Sequence, residues 1–91
     1  MNIQKEEGRH FIQDDLGNSV AEISYSQNDD QTITIDHTFV DEDYRGQGAA
    51  RRLVDSVVEE MKQQNKKIIP ACKFAAAVFK RVPEYQSQLA K

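Results

Sequence analysis

The chain is poor in the residues that build disulfides, metal centres and membrane spans. Cys72 is the only cysteine among 91 residues, which excludes an internal disulfide and a cysteine-rich zinc site. His10 and His37 are the only histidines, and no pair of metal ligands lies at helical spacing, so we expect no metal. No apolar run approaches a bilayer-spanning length, and residues 1–7 lack the core of a signal peptide. We therefore expect a cytoplasmic protein without membrane contact.

The chain also lacks a strong charge of either sign. Its formal net charge is −3, with 38% hydrophobic and 30% charged residues, which is typical of one small globular domain over residues 1–91. A nucleic-acid-binding domain would usually be basic, so we expect no nucleic-acid partner. Basic residues nonetheless cluster within residues 45–52 and again between residues 66 and 81. That clustering is compatible with an anionic ligand there or with a solvated mixed surface.

Three strand candidates occupy the first half of the chain, at 9–13, 20–26 and 32–40. The links between them are short, polar and rich in turn formers, which predicts an antiparallel meander. Within the third strand, simple alternation predicts that Ile33, Ile35, His37 and Phe39 share one face.

A long helix is predicted over 48–64, because apolar residues recur there at intervals of three and four and form one stripe. The stripe comprises Ala50, Leu53, Val54, Val57, Val58 and Met61. Asn65 is able to adopt the left-handed conformation that often ends a helix.

The remainder predicts a fourth strand over 67–72, a short helix over 74–81 that ends before Pro83, and a frayed polar tail over 86–91. A strand that follows a crossover helix usually lies parallel to the strand before it. Pro70 has no N–H, so the fourth strand either lies at an edge or leaves its neighbour there. The predicted fold class is α+β, an α/β sandwich of a meander, a long helix, a parallel fourth strand with a splay, and a short helix.

The loop between the third strand and the long helix carries Gly46 and Gly48. Glycines allow the backbone to approach a ligand, and the unpaired N–H groups of a helix start form a site for an anion such as phosphate. A simple strand-to-helix connection is the alternative. The phosphate loop of nucleotide hydrolases is absent, since no Lys-Ser or Lys-Thr follows Gly48. Arg51 stands where the dinucleotide-binding fingerprint needs its third glycine.

Two motifs together resemble those of the GNAT (Gcn5-related N-acetyltransferase) superfamily. Arg45, Gly48 and Ala50 match its loop pattern R/Q-x-x-G-x-G/A, with Val40 on the preceding strand. The second half, with Ile68-Ile69-Pro70-Ala71-Cys72, then Phe74, then Pro83-Glu84-Tyr85, is similar to that of small GNAT-like proteins. The resemblance covers nearly the whole chain.

The resemblance implies that the ligand is acetyl-CoA or CoA. In the superfamily, loop N–H groups bind the pyrophosphate, and the pantetheine arm lies between two parallel strands that splay apart. The implied activity is N-acetyl transfer to an amine, free or on a protein. The expected cofactor-binding residues are Thr38, Val40, Arg45, Gly46, Gln47, Gly48, Ala49, Ala50 and Phe74. Arg45 is expected to contact phosphate, and Arg51 or Arg52 either reaches the adenosine phosphates or faces solvent.

The chain departs from its relatives at two positions. Val82 stands where the small subfamily commonly has a histidine before Pro-Glu-Tyr. Phe79 stands where larger GNAT enzymes often have the tyrosine that protonates the CoA thiolate. The chain is also shorter than a full GNAT enzyme. A non-catalytic CoA- or acyl-CoA-binding module, or a protein-interaction module, is therefore the alternative function.

The candidate catalytic residues are Cys72 and His37. Cys72 follows the fourth strand at the start of a helix, where it is placed to act as an acid or as a nucleophile that takes the acetyl group. A helix start beside Lys73 would lower the pKa of its thiol. The alternative for Cys72 is a small buried hydrophobe. Histidine is a common general base, which makes His37 a candidate, and the alternative is a packed or edge histidine.

Overall fold

The computed structural model describes residues 2–90 and consists of one mixed sheet with two α-helices. The strands are β1 (Ile3–Glu6), β2 (Arg9–Gln13), β3 (Ser19–Asp29), β4 (Thr32–Val40) and β5 (Lys67–Pro70), in that order across the sheet. The helices are α1 (Ala49–Gln63) and α2 (Lys73–Arg81), and short 3-10 helices cover Glu42–Tyr44 and Pro83–Gln88. Strands β1 to β4 pair antiparallel, and β5 lies parallel to β4. The predicted α+β class is confirmed.

Helix α1 lies across the sheet and buries one stripe of apolar side chains against it. The buried residues of α1 are Ala49, Leu53, Val54, Val57, Val58 and Met61, so Ala49 takes the place in the stripe that the sequence pattern gives to Ala50. They share one core with residues from β2 to β5 and with Ala75, Val78 and Phe79 of α2. Asn65 has a φ of 58°, which is the left-handed helix end predicted from its side chain.

The strand β1 and the outer part of β3 are the elements that sequence periodicity does not reveal. Strand β1 is mostly exposed, and β3 continues through residues 27–29, where polarity predicts a turn. Both segments are held by backbone pairing with a neighbouring strand, with Gln4 opposite Phe11 and Gln27 opposite Ile33. A strand that buries few side chains has no apolar alternation to detect.

A β-bulge at Asp36 divides β4 into two parts. Ser24 pairs with His37 but Tyr25 pairs with Ile35, so Asp36 is the extra residue. The prediction that His37 and Phe39 share the face of Ile33 and Ile35 is therefore wrong. Before the bulge the isoleucines point to the core, and after it Thr38 does so instead, opposite the buried Ile23.

Strands β4 and β5 are paired over only four residues. The parallel ladder ends at Ile35 opposite Pro70, and the N–H groups of Ala71 and Cys72 both donate to the Ile35 carbonyl (3.2 and 3.3 Å). Beyond that point no strand in residues 2–90 pairs with this edge of β4 over 36–40. This is the predicted splay, and Pro70 lies where the prediction places the end of pairing.

The expectation of a frayed tail is wrong for the residues up to Ala90. Gln88 is buried and its Nε2 donates to the Lys66 carbonyl (3.0 Å). The Ala90 N–H donates to the Ile68 carbonyl (2.9 Å), and Leu89 forms a parallel bridge to Ile68. The tail is ordered because it covers the outer edge of β5. Lys91, the last residue of the predicted tail, lies outside the described residues.

Between residues 2 and 90 there is no helix with the length and apolar character needed to cross a membrane. The same part of the chain contains no group of three or more potential metal ligands, His, Cys, Asp or Glu, close enough to hold a metal ion.

Candidate functional site

A cleft of about 420 Å³ lies where β4, the following loop and the N-termini of both α-helices meet. It contains eight of the nine residues that the sequence predicts to bind the cofactor: Thr38, Val40, Arg45, Gly46, Gly48, Ala49, Ala50 and Phe74. Gln47 is exposed and does not line the cleft. Three further residues line the cleft: Phe39 and Tyr44, which the sequence does not predict as binding residues, and Arg51, which it leaves undecided. The only sequence signal for Arg51 as a lining residue is its position in the first turn of the long helix.

The loop is shaped by short hydrogen bonds and by two glycines with positive φ. Asp41 caps the 3-10 helix by accepting from the Asp43 N–H (3.0 Å). Gly46 and Gly48 have φ values of 84° and 79°, which residues other than glycine rarely adopt. Gly48 is the N-cap of α1, and its carbonyl accepts the Arg52 N–H (3.0 Å).

The start of α1 offers N–H groups that no helical carbonyl satisfies. In an α-helix the first N–H groups lack partners within the helix, and here they belong to residues that line the cleft, Ala49, Ala50 and Arg51. The positive end of the helix dipole coincides with them. This end of the cleft is therefore suited to an anion such as a phosphate.

The three arginines near the loop have different positions. The Nε of Arg45 donates to the Val40 carbonyl (3.3 Å), which holds this side chain at the end of β4. The Nε of Arg51 donates to Oδ1 of Asp55 (2.9 Å) on the next turn of α1. Arg52 is exposed and does not line the cleft. Of the two arginines that the sequence leaves undecided, the structure brings Arg51 to the cleft.

Cys72 lies beside the cleft, at the N-cap of α2, and is half-buried. Its Sγ is 3.4 Å from Oγ1 of Thr38, which lines the cleft. Burial raises the pKa of the thiol, but its contact with the Thr38 hydroxyl and the nearby backbone N–H groups of Ala75 and Phe74 outweigh this effect and lower the pKa. The sequence predicts this direction and the contribution of the helix start, whereas the contribution of Thr38 is not predicted and Lys73 is not among the causes.

His37 is exposed and does not line the cleft. Its partner across the sheet is the polar Ser24, and it follows the bulge residue Asp36 directly. Of the two alternatives to a base, a packed histidine is wrong because the side chain is exposed, and an edge histidine agrees with the structure because β5 does not pair with β4 beyond Ile35. The residue lies next to the point where β4 and β5 part, on the face of the sheet opposite to the side chain of Thr38.

Phe79 lies in the core. It is 1% exposed, and its ring lies 5.6 Å from that of Tyr85, measured between centroids. A hydroxyl at this position would enter the core and not the cleft. The hydroxyl of Tyr85 instead donates to Oδ1 of Asp55 (2.5 Å). Neither the loop motif nor the Pro-Glu-Tyr motif predicts this contact.

A sheet that opens between two parallel strands, beside a glycine loop and a helix start, defines the class of the N-acetyltransferase fold. The family model described as GCN5-related N-acetyl-transferase matches residues 9–89. The chain belongs to that family.

Solved structures agree with this assignment. A GCN5-like protein from Staphylococcus aureus is 37% identical, with a TM-score of 0.80 over 98% of this chain and 87% of that one. The GNAT family N-acetyltransferase YhbS from Escherichia coli, solved in complex with CoA, is 27% identical, with a TM-score of 0.60 over 66% of this chain and 37% of that one. Tetrahymena GCN5, 17% identical, shares the fold with a TM-score of 0.65 over 84% of this chain.

The protein spans 51% of the Tetrahymena chain and 37% of YhbS, so it corresponds to a part of these larger enzymes. No match is found among curated protein sequences.

Proposed function

We propose that residues 1–91 act as one acetyl-CoA-dependent N-acetyltransferase domain that transfers an acetyl group to an amine. The observation that carries the proposal is the parting of β4 and β5 after Ile35 and Pro70, directly beside the glycine loop. A parted parallel pair leaves backbone N–H and C=O groups of residues 36–40 able to pair with the amides of a pantetheine arm. The CoA complex of the relative YhbS supports this choice of ligand.

Each end of the cleft suits a different part of the cofactor. The N–H groups at the start of α1, with Gly46, Gly48 and Arg45, bind the diphosphate. Thr38 and Val40 border the pantetheine arm, and the half-exposed ring of Phe74 packs against it. Gln47 contributes its backbone only, because its side chain lies outside the cleft.

The reaction joins the acceptor nitrogen to the acetyl carbonyl carbon and breaks the bond from that carbon to the CoA sulfur. The amine loses a proton and the departing thiolate gains one. His37, on the exposed face beside the parting strands, is the proposed base for the amine. Cys72 is the proposed thiol at the reacting centre. Its lowered pKa favours the thiolate, which suits a nucleophile better than a general acid. In that covalent route the Cys72 sulfur first bonds to the acetyl carbonyl carbon, and the CoA thiolate leaves and takes up a proton. The amine nitrogen then bonds to the same carbon, loses a proton and releases the Cys72 thiolate.

The direct test is incubation with acetyl-CoA, followed by intact-mass measurement and a thiol-release assay across a panel of primary amines. Transfer predicts CoA release that depends on one class of amine. Acetyl on Cys72 in the absence of amine supports the covalent route. Cys72→Ser and Cys72→Ala, checked for unchanged CoA binding, should both abolish acetylation of the protein. Unchanged turnover in both variants would exclude a catalytic role for Cys72.

The second candidate is a module that binds CoA or acyl-CoA without catalysis. Phe79 favours it, because this residue stands where larger enzymes often have the tyrosine that acts as the acid. Here the side chain has no hydroxyl and is buried in the core. CoA binding without thiol release or protein acetylation, for every amine tested, would select this alternative.

A further inference from the structure

A chain of three side chains joins the C-terminal Pro-Glu-Tyr segment to the cleft. The Tyr85 hydroxyl donates to Oδ1 of Asp55 (2.5 Å), and the Nε of Arg51 donates to the same oxygen (2.9 Å). Arg51 lines the cleft, while Tyr85 lies in the 3-10 helix after α2. Asp55 and Arg51 are one turn apart on α1. The Pro-Glu-Tyr segment is thus connected to a cationic group of the proposed cofactor site.

This chain holds Arg51 in one orientation. An exposed arginine is otherwise mobile, and paired surface charges contribute little by themselves. Here the carboxylate of Asp55 is itself fixed by a tyrosine whose ring packs against the buried Phe79. Bonding through Nε occupies the side of the guanidinium that faces Asp55 and Tyr85. One outward N–H of each terminal nitrogen, at the far end of the group, is left able to donate to a ligand as a pair.

The orientation of Arg51 also selects which phosphate it meets. The loop glycines, Arg45 and the first N–H groups of α1 surround the position proposed for the diphosphate. The Arg51 side chain reaches instead along α1 toward Asp55, away from that loop. A second anionic group, displaced from the diphosphate, is therefore the partner that its terminal NH₂ groups fit. In CoA that group is the phosphomonoester on the 3′-oxygen of the ribose.

We infer that Arg51 binds the ribose 3′-phosphate of CoA, and that Tyr85 and Asp55 are positioning residues that hold it there. The inference rests on the proposed function. The chain keeps its hydrogen-bond pattern over a wide pH range, because burial, and next the hydrogen bond to Asp55, raise the pKa of Tyr85 to about 12. The hydroxyl therefore remains a donor at every pH at which the protein would be assayed.

The test compares the affinity for CoA with that for dephospho-CoA, which lacks only the 3′-phosphate, by titration calorimetry. The original protein should bind CoA about tenfold more tightly, as expected for one charge-assisted pair. Arg51→Gln should reduce this ratio to about one by weakening CoA alone. Tyr85→Phe keeps the ring packed on Phe79 and removes only the hydroxyl, and it should lower the ratio to about threefold. Asp55→Asn should act in the same direction.

The matched control is Arg52→Gln, which removes the same charge from the neighbouring position of α1, outside the cleft. It should leave the ratio unchanged, which separates a local contact from the general field of the protein. Equal affinity of the original protein for both ligands would overturn the inference and leave the proposed function intact. A Tyr85→Phe variant that weakens both ligands equally would show that Tyr85 only supports the fold. No binding of either ligand to the original protein would overturn the proposed function and this inference together.

Discussion

The two ends of α1 carry polar side chains in opposite surroundings. At the N-terminal end, Arg51 borders a cleft that opens where β4 and β5 part. From the midpoint of α1 toward its C-terminal end, the fully buried His10 of β2 lies against the helix, with its ring nitrogens 2.7 Å from Oγ of Ser56 and 3.2 Å from Oε2 of Glu60. Tyr25 completes this cluster by donating to Glu60 (2.8 Å).

The difference shows that one end of α1 contributes to stability and the other end is available for a ligand. Where the strands beneath α1 are fully paired, polar groups on the helix find protein partners and contribute to stability. Where the strands part, backbone and side-chain donors remain available for a ligand. Changes at the C-terminal end should therefore alter stability and spare affinity, and changes at the N-terminal end should do the reverse.

The largest effect should follow His10→Ala. The change leaves a cavity in the core and removes a hydrogen-bond partner from both Ser56 and Glu60, which should cost about 3 kcal/mol in the free energy of unfolding. Urea denaturation measures this cost. His37→Ala, at an exposed position, is the control and should change stability by less than about 0.5 kcal/mol. The CoA dissociation constant of the folded His10→Ala protein should equal that of the original. A weaker affinity would show that the two ends of α1 are not separate.

The next largest effect should follow Gly48→Val at the other end of α1. A β-branched residue at a φ of 79° is strained, and relief of the strain would turn the loop N–H groups away from the cleft. We expect CoA affinity to fall by about 2 kcal/mol, roughly 30-fold.

Gly17→Val is the matched control for Gly48→Val. Gly17 has a φ of 86°, and like Gly48 it has open space around its Cβ position, but it lies in the turn between β2 and β3. Both variants should lose similar stability, and only Gly48→Val should lose affinity. Equal CoA affinity in the two variants would contradict the role proposed for the loop.

Phe79→Tyr tests the border between core and cleft. The added hydroxyl would enter a site that is 1% exposed, so we expect a loss of about 1 to 2 kcal/mol in stability and no gain in turnover. Thermal unfolding and the thiol-release assay measure the two quantities. Faster CoA release by this variant would mean that the hydroxyl reaches the thioester, and that the assignment of Phe79 to the core alone is wrong.

The pH dependence of stability should also originate at the C-terminal end of α1, where His10 is buried. Burial lowers the pKa of His10 below 6.5, against the opposing effect of Glu60 and with a small contribution from Lys5. As pH falls below 6.5, the unfolded chain binds a proton that the folded protein does not yet bind, so stability decreases until the lower folded pKa is reached. The decrease should disappear in His10→Gln and persist in His37→Gln, measured by urea denaturation between pH 7 and pH 5. Its persistence in His10→Gln would assign it to other groups.

The sequence predicts those parts of the molecule whose physical cause is local. The apolar stripe predicts α1, and the turn-forming links predict the meander. Pro70 in β5 predicts the splay. The bulge at Asp36 leaves no local signal, because it inserts one residue into a strand of unchanged composition, and it reverses the face assigned to His37. The contact between Tyr85 and Asp55 joins residues 30 positions apart, and no periodicity links such positions.

The smallest effect should follow Asn65→Gly, just beyond the C-terminal end of α1. Asn65 has a φ of 58°, and the neighbouring Lys66 N–H donates back to the Met61 carbonyl (2.9 Å), as in a common glycine helix end. Glycine adopts this conformation without a Cβ penalty, so stability should rise by about 0.5 kcal/mol. Thermal unfolding measures the gain, and CoA affinity should not change. A change in affinity from a residue so far from the cleft would mean that the helix transmits strain from one end to the other, and the separation of its two ends would then fail.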